Sequence, residues 1–543
     1  MRMFSGRSFR SHHFIVITAL FLTASANIRF FSAMLEIYPW VDHTGFIISA
    51  CILLLACMVL LLATFSLVLP DKFVMILFIV VAAPTAYFSE HFGTVIDIDM
   101  IRNFAETNVA ESADLFTSGF LLRLLLLGLL PVIVIYKLSL EKRRFLSEMA
   151  TKAILVTVAL GVMAACIGSN SSQYASFFRE HKSVRYYISP AYPIYSGLQF
   201  IASHAPAATP LPFASLDAEA TVTEGDNVHA ELIILVVGET ARADHFSLNG
   251  YNRLTNPRLA LEENLISYTD IHSCGTSTAI SVPCMFSYST HDAFNVNSAR
   301  NTENGLDLLN KAGINVLWRD NNSDSKGVAD RVPFEDFRSA ERNPVCDSEC
   351  RDIGMLAGLQ TYIDSHQGDI LIVLHQMGSH GPAYYRRYPQ EFERFSPACQ
   401  SSELANCSQE EIINAYDNTL VYTDYFLSEV IALLKNNSRQ YETAMFYVSD
   451  HGESLGESGV YLHGMPYRFA PEAQTHVPVI AWIGSSSDIN YEESLKLKDQ
   501  RNSHDAVFDT LLSVFELTTD LLPAAETKLV VLKEDGAESH DAL

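Results

Sequence analysis

The sequence predicts two parts of different class, an N-terminal helical membrane domain with five spans and a C-terminal α/β/α sandwich. Three observations predict it. Five long apolar segments fill the first third of the chain. Beyond residue 230, strand-like apolar runs alternate with amphipathic helical stretches, the pattern of a doubly wound sheet. Two of those runs empty into residues of metal-ligand type, Gly238-Glu239-Thr240 and Asp450-His451.

The apolar segments run from about Phe14 to Phe31, Thr44 to Leu69, Phe73 to Phe88, Ser118 to Ile135 and Lys152 to Ile167. A spanning helix needs about 20 mostly apolar residues, and five such stretches in succession leave no polar faces for a soluble fold. Arg2, Arg7, Arg10, Lys72, Lys142, Arg143 and Arg144 fall in one set of loops, whereas the alternate loops carry only Arg29 and Arg102. Positive charge stays in the cytoplasm, so the amino terminus is cytoplasmic and everything after residue 168 lies on the far side. Ala24-Ser25-Ala26 has the form of a signal-peptidase site. Apolar character resumes at Ile28 to Phe31 and restores a spanning length, so retention is expected; cleavage would leave four spans and the same final topology.

Cys51, Cys57 and Cys166 lie in spans as small apolar fillers. The other six cysteines all follow residue 168, where an even count in an exported domain implies disulfides. Sequence leaves many connectivities open. Sequential pairing, Cys274–Cys284, Cys346–Cys350 and Cys399–Cys407, closes the shortest loops and is the expectation.

Residues 169 to about 200 are rich in aromatics suited to a membrane interface, and residues 203 to 230 read as an Ala/Pro/Thr-rich tether. The domains are therefore expected at 1–168, 169–230 and 231–543. In the last, strands are predicted at Leu232 to Val237, Ile314 to Trp318, Ile370 to Leu374, Ala444 to Val448 and Val477 to Trp482, with a helix from Glu410 to Leu434. A formal net charge of −25 excludes a phosphate-tracking surface for nucleic acid. It does not exclude small anionic groups, because a metal brings its own positive charge.

Open α/β sheets place their chemistry beyond the carboxyl ends of the strands. There Glu239, Asp450 and His451 can hold a divalent metal, most plausibly zinc; singly, each also reads as a helix cap or a polar turn. His272-Ser-Cys-Gly-Thr-Ser-Thr-Ala-Ile-Ser-Val-Pro-Cys284 offers Thr276, Ser277, Thr278 and Ser281 as candidate nucleophiles. Thr278 stands where a helix would begin, so its oxygen could meet helix N-terminal amides and a metal together. His380 and His463 could bind phosphate, donate a proton or ligate a second metal. Asn322, Ser323 and Lys326 offer donors suited to phosphate oxygens.

Val236-Val-Gly-Glu-Thr-Ala-Arg-Ala-Asp244, Ser273-Cys-Gly-Thr-Ser-Thr278, His375-Gln-Met-Gly-Ser-His-Gly-Pro382 and Ser449-Asp-His-Gly-Glu-Ser-Leu-Gly-Glu457 resemble the phosphoethanolamine transferases that modify lipid A. That family includes the mobile colistin-resistance enzymes and belongs to the alkaline phosphatase superfamily. The resemblance covers essentially the whole chain and implies a hydrolase-like catalytic domain. It implies Thr278 as nucleophile, with Glu239, Thr278, Asp450 and His451 on the catalytic zinc and room for a second ion. By the same resemblance His380 and His463 match second-zinc or phosphate-contact positions, and Glu453 a polar position of unassigned role. Asn103, Thr107 and Glu111 match lipid-substrate positions; their spacing of four puts them on one helix face, as it would in a solvated amphipathic helix.

The implied reaction is ping-pong. Phosphatidylethanolamine gives its head group to Thr278, and a lipid A phosphate collects it, lowering envelope negative charge and giving polymyxin resistance. A multi-pass inner-membrane protein, monomeric and with a periplasmic catalytic domain, is expected. Transfer to a core sugar, Kdo or heptose, is the alternative within the family. A sulfatase is disfavoured because Thr278-Ala-Ile-Ser-Val lacks the Pro and Arg of a formylglycine motif. A phosphodiesterase remains an alternative. A phosphoglycerol transferase fits the Ser-Cys-Gly-Thr and His-Gln-Met-Gly segments poorly, and a non-catalytic receptor would be expected to lack some of the metal ligands.

Overall fold

The computed structural model describes residues 8–107, 113–141, 144–203, 213–216, 220–222, 229–519, 521 and 528–533. Glu111, the loop charges Arg2, Arg7, Lys142 and Arg143, and most of the 203–230 tether lie outside the described residues. The chain forms two compact units, Met1–Ile101 with Leu115–Ala205, and Arg102–Asp114 with Pro206–Leu543.

In the helical unit, α1 (Ser11–Ser25) and α2 (Ile28–Ile37) meet at a bend of 56°. The bend falls inside the segment expected to span from Phe14 to Phe31. Asn27 is its cause and its remedy. Its buried amide donates to Leu22 O (3.0 Å) and Ser189 O (2.8 Å) and accepts from Ser189 N (3.0 Å), replacing main-chain bonds that the break removes. Then follow α3 (Trp40–Val68), α4 (Asp71–Phe92), α5 (Ser118–Lys137) and α6 (Phe145–Ser169). Among the described residues four helices are long and apolar enough to cross a membrane, or five spans if the bent pair counts as one. Within α5 the turn Leu124–Leu129 is π-helical, and Gly128 lets it approach α4, since a Cβ there would lie 3.3 Å from Ala83 Cβ. Lys152 is buried yet fully engaged, 2.6 Å from Asp71 Oδ1 and 2.6 Å from Ser66 O. A charge among apolar helices persists when it is paired in this way. The connector helices Ser171–Glu180 and Ala191–Ser203 belong to this unit.

The second unit is built on a seven-stranded mixed sheet. Its strands are β1 (Ala230–Gly238), β2 (Leu265–Tyr268), β3 (Asn315–Asp320), β4 (Phe334–Asp336), β5 (Ile370–His375), β6 (Tyr441–Ser449) and β7 (Val479–Ile483). Their order is β2-β7-β6-β1-β5-β3-β4. From β6 to β4 neighbours are parallel, and β7 is antiparallel to both β6 and β2. The five expected strands occupy the middle, where both faces are covered and the sequence is continuously apolar. The two edge strands escaped notice: Leu265–Tyr268 is short, and Phe334–Asp336 carries two acids, as an exposed edge favours. The expected helix is α8 (Gln409–Asn437), opened by a capping box between Ser408 and Glu411.

Candidate active site and metal centre

Register brings the site together. Gly238 at the end of β1 pairs with Ser449 at the end of β6, so Glu239 and Asp450 leave the sheet side by side. The close approach needs glycine, because a Cβ on Gly238 would lie 2.5 Å from Tyr447 Oη. Thr240 then turns into the left-handed region at φ 52°, and its N–H donates to Asp450 Oδ1 (3.2 Å). On the other side Val237 pairs with His375, from which the 376–382 loop departs. Gly378, at φ 51°, lies against Glu239, where a Cβ would be 2.8 Å from Glu239 O. Next in the sheet, β3 leads into Asn322, whose amide donates to Glu239 Oε2 (2.8 Å) and Gln376 O (2.9 Å).

The nucleophile candidates come from outside the sheet, on the loop that enters α7 (Thr278–Met285). A disulfide from Cys274 to Cys284 ties this loop across the helix. Thr276 turns away and donates to Met465 O (2.6 Å), and Ser277 occupies the N-cap with extended backbone. Thr278 Oγ1, by contrast, donates to Glu239 Oε2 (3.1 Å) and lies 3.4 Å from His451 Nε2. His451 Nε2 is in turn 3.5 Å from Glu239 Oε1 and 3.3 Å from Asp450 Oδ2.

His451 Nδ1 lies 3.0 Å from Gly452 O, a carbonyl that can only accept, so Nδ1 carries the proton and Nε2 turns a lone pair toward the carboxylates. Burial first, then His463, holds the His451 imidazole well below its ordinary pKa, so the ring is neutral and suited to a metal. Burial also pushes Asp450 up to about 6, against the pull of His375. Glu239, Asp450 and His451 each offer a ligand atom, all within 4.8 Å of one another; Glu239, His380 and His463 do the same. Two carboxylates, an imidazole and a hydroxyl, all buried, form an oxygen and nitrogen donor set that fits a divalent metal.

Glu453 gains a structural role. It accepts from His463 Nδ1 (3.0 Å) on one oxygen and from Tyr384 Oη (3.1 Å) on the other, fixing the His463 ring with Nε2 unprotonated. The His463 ring centroid lies 4.4 Å from that of His451 and 5.6 Å from that of His380. Arg387 donates to His380 O (2.7 Å), and its guanidinium is held by Asp114 and Glu349. Sequence reading missed Arg387, Asp114 and His504. His504 supports the loop that enters α7, accepting from Cys274 N at Nδ1 (3.2 Å) and lying 2.9 Å from Ser449 O at Nε2.

The remaining expected contacts divide. Lys326 Nζ donates to Ser323 O (2.7 Å) and to Glu106 O (3.1 Å), at the end of the helix Ile98–Glu106 that carries Asn103. Thr107 Oγ1 donates to Asn103 O (2.6 Å), so these two stack one turn apart. Asn322 engages Glu239, and Ser323 is buried.

A sheet of this order with residues of metal-ligand type at its strand ends defines a sulfatase-type domain of the alkaline phosphatase superfamily, and the Sulfatase family model matches residues 231–517. The family model described as Phosphoethanolamine transferase EptA/EptB matches residues 53–205. The chain is 44% identical to Phosphatidylethanolamine transferase Mcr-2 of Escherichia coli over 92% of this chain and 94% of that protein. It is 37% identical to Phosphoethanolamine transferase EptA of Escherichia coli (strain K12), over 94% and 95%. The solved integral membrane lipooligosaccharide phosphoethanolamine transferase A of Neisseria meningitidis superposes with a TM-score of 0.91 at 31% identity, over 95% of this chain and 98% of that one. The chain belongs to the phosphoethanolamine transferase family.

Proposed function

We propose that this transferase takes the phosphoethanolamine head of phosphatidylethanolamine onto Thr278 and passes it to a phosphate of lipid A. One observation carries the reading: Thr278 Oγ1, at the N-terminus of α7, is bonded to Glu239 and lies 3.4 Å from His451. Glu239, Asp450, His451 and Thr278 would hold zinc, which when bound supplies positive charge that favours the ionised threonine oxygen and offsets charge on the phosphoryl oxygens.

In the first half-reaction the Thr278 oxygen bonds to phosphorus, the bond from phosphorus to the glycerol oxygen breaks, and diacylglycerol leaves after gaining a proton. His463, oriented by Glu453, and neutral His380 are placed to contact the phosphoryl group or to hold that proton. The first-turn amides of α7 suit the phosphoryl oxygens. In the second half-reaction a lipid A phosphate oxygen attacks the phosphothreonine and Thr278 departs. Asn322 keeps Glu239 in place for both steps. Asn103 and Thr107, with Glu111, serve the lipid donor.

Residues 1–168 act as the anchor in the inner membrane, 169–230 as connector and 231–543 as the catalytic domain in the periplasm. The cysteine pattern supports this placement. Three disulfides fall in the catalytic part, and free Cys51, Cys57 and Cys166 in the helices. Capping lipid A phosphates with phosphoethanolamine, which brings an ammonium group, lowers surface negative charge and would confer polymyxin resistance.

Incubation with phosphatidylethanolamine alone tests the reading, because omitting the acceptor preserves the adduct. Peptide mapping should find phosphoethanolamine on Thr278, and Thr278→Ala should lose both adduct and turnover. An adduct on Thr276 or Ser277, or an active Thr278→Ala enzyme, would overturn it.

A further inference from the structure

The strand ends opposite the active site hold a second convergence of carboxylates. Glu231 near the start of β1 and Glu442 near the start of β6 are direct partners across the ladder. Asp488, from the turn after β7, joins them, and the three offer ligand oxygens all within 4.8 Å of one another. Like charges placed opposite each other on neighbouring strands repel.

The second observation is Glu231 itself. It is only 4% exposed, and neither of its carboxylate oxygens has a hydrogen-bond partner. Glu442 Oε2 and Asp488 Oδ1 are likewise buried without one. The nearby cation answers them only in part: Lys533 attracts Glu442 and Asp488 from a distance, but its Nζ donates to Ser487 O (2.7 Å). His229, Asp369 and Glu516 complete the charged surroundings, and the last two add negative charge. Burial and this repulsion push Glu231 up to about 10, so without a counter-charge the cluster keeps a proton at neutral pH.

We propose that Glu231, Glu442 and Asp488 form a separate metal site that takes a hard divalent cation, calcium, at the foot of the sheet. The three converging donors are all carboxylate oxygens, and neighbouring His229 is not one of the group, so neither imidazole nor thiolate favours zinc. Calcium accepts irregular arrangements of carboxylates, whereas magnesium demands a near-octahedral shell and keeps its water. Glu231 and Glu239 stand eight positions apart on one extended strand, about 26 Å at ~3.3 Å per residue, so the two sites share no ligand. The bound ion would fasten together the starts of the two strands whose far ends deliver Glu239 and Asp450.

The test is calcium uptake by the full-length, zinc-loaded protein in detergent, followed by equilibrium dialysis and thermal unfolding. One calcium per chain should bind more tightly than magnesium and raise Tm. Glu231→Gln and, separately, Asp488→Asn should each weaken calcium binding at least tenfold and lose the Tm response, while zinc content and transferase activity stay unchanged. Asp488→Asn lies in a turn and guards against a folding defect in Glu231→Gln. Absence of calcium uptake at millimolar concentration, uptake retained by both variants, or tighter binding of magnesium would overturn the proposal.

Discussion

Replacing Glu453 with glutamine changes one atom type and should expose what the carboxylate does. Both its oxygens accept, from His463 Nδ1 at 3.0 Å and from Tyr384 Oη at 3.1 Å. Glutamine keeps one acceptor, which His463 must take, while its amide nitrogen can donate to a Tyr384 hydroxyl that rotates to accept. Shape and bond count therefore survive, and the loss is the charge in the bond to histidine. A bond to a charged group is worth about 1.5–3 kcal/mol and a neutral one about 0.5–1.5, so the difference is roughly 1.4 kcal/mol, or about tenfold. Glu453→Ala removes the acceptor from both buried donors and frees the His463 tautomer, with an expected loss of about 100-fold. Steady-state transfer to lipid A, alongside thermal unfolding, would measure both. Unchanged activity in Glu453→Ala, or equal damage in the two variants at equal stability, would refute the argument that Glu453 acts by orienting His463.

Metal removal should be reversible: the chelated protein should lose transfer, and reconstitution should restore it with at least one zinc per chain, whereas a folded protein that stays metal-free at saturating zinc would refute the ligand set. Gly378→Ala should lower stability by about 1–2 kcal/mol, because alanine resists φ 51°, and should cut activity at least tenfold by pushing on Glu239; unaltered melting and kcat would contradict this. Burial lowers His504 from 6.5 to about 4, against the pull of its bond to Ser449 O. The unfolded chain therefore binds the extra proton first as pH falls, and about 3 kcal/mol of stability present above pH 6.5 should disappear between about 6.5 and 4. Denaturant melts of His504→Gln should show a shallower acid slope than the parent, and identical slopes would remove His504 from the account.

The central strands were legible because burial on both faces leaves long apolar runs within them, as in Ile233 to Val237. Glu239, Asp450 and His451 were legible for the same reason, as polar residues at the abrupt end of apolar runs. Other features depend on partners far away in the chain. Nothing local tells that Glu453 meets Tyr384, 69 positions back, or that Asn322 orients Glu239. Nor does anything local to Asp114 tell that it holds Arg386 and Arg387. The break at Asn27 was the most readable omission, since an amide inside an apolar stretch must find partners and bends the helix that cannot supply them.

The Gly238–Ser449 pairing has a consequence for how freely this sequence can change. The two halves of the candidate metal cluster are written about 210 positions apart, yet a single ladder decides whether they meet. Sliding β6 by one residue would turn Asp450 to the other face of the sheet and dissolve the centre without altering any ligand. The excursion that carries Cys399–Cys407 leaves and rejoins the scaffold without touching that ladder, so it can lengthen or shorten while the cluster stays where it is. The one that carries Cys346–Cys350 is less free, because its Glu349 holds the Arg387 that donates to His380 O.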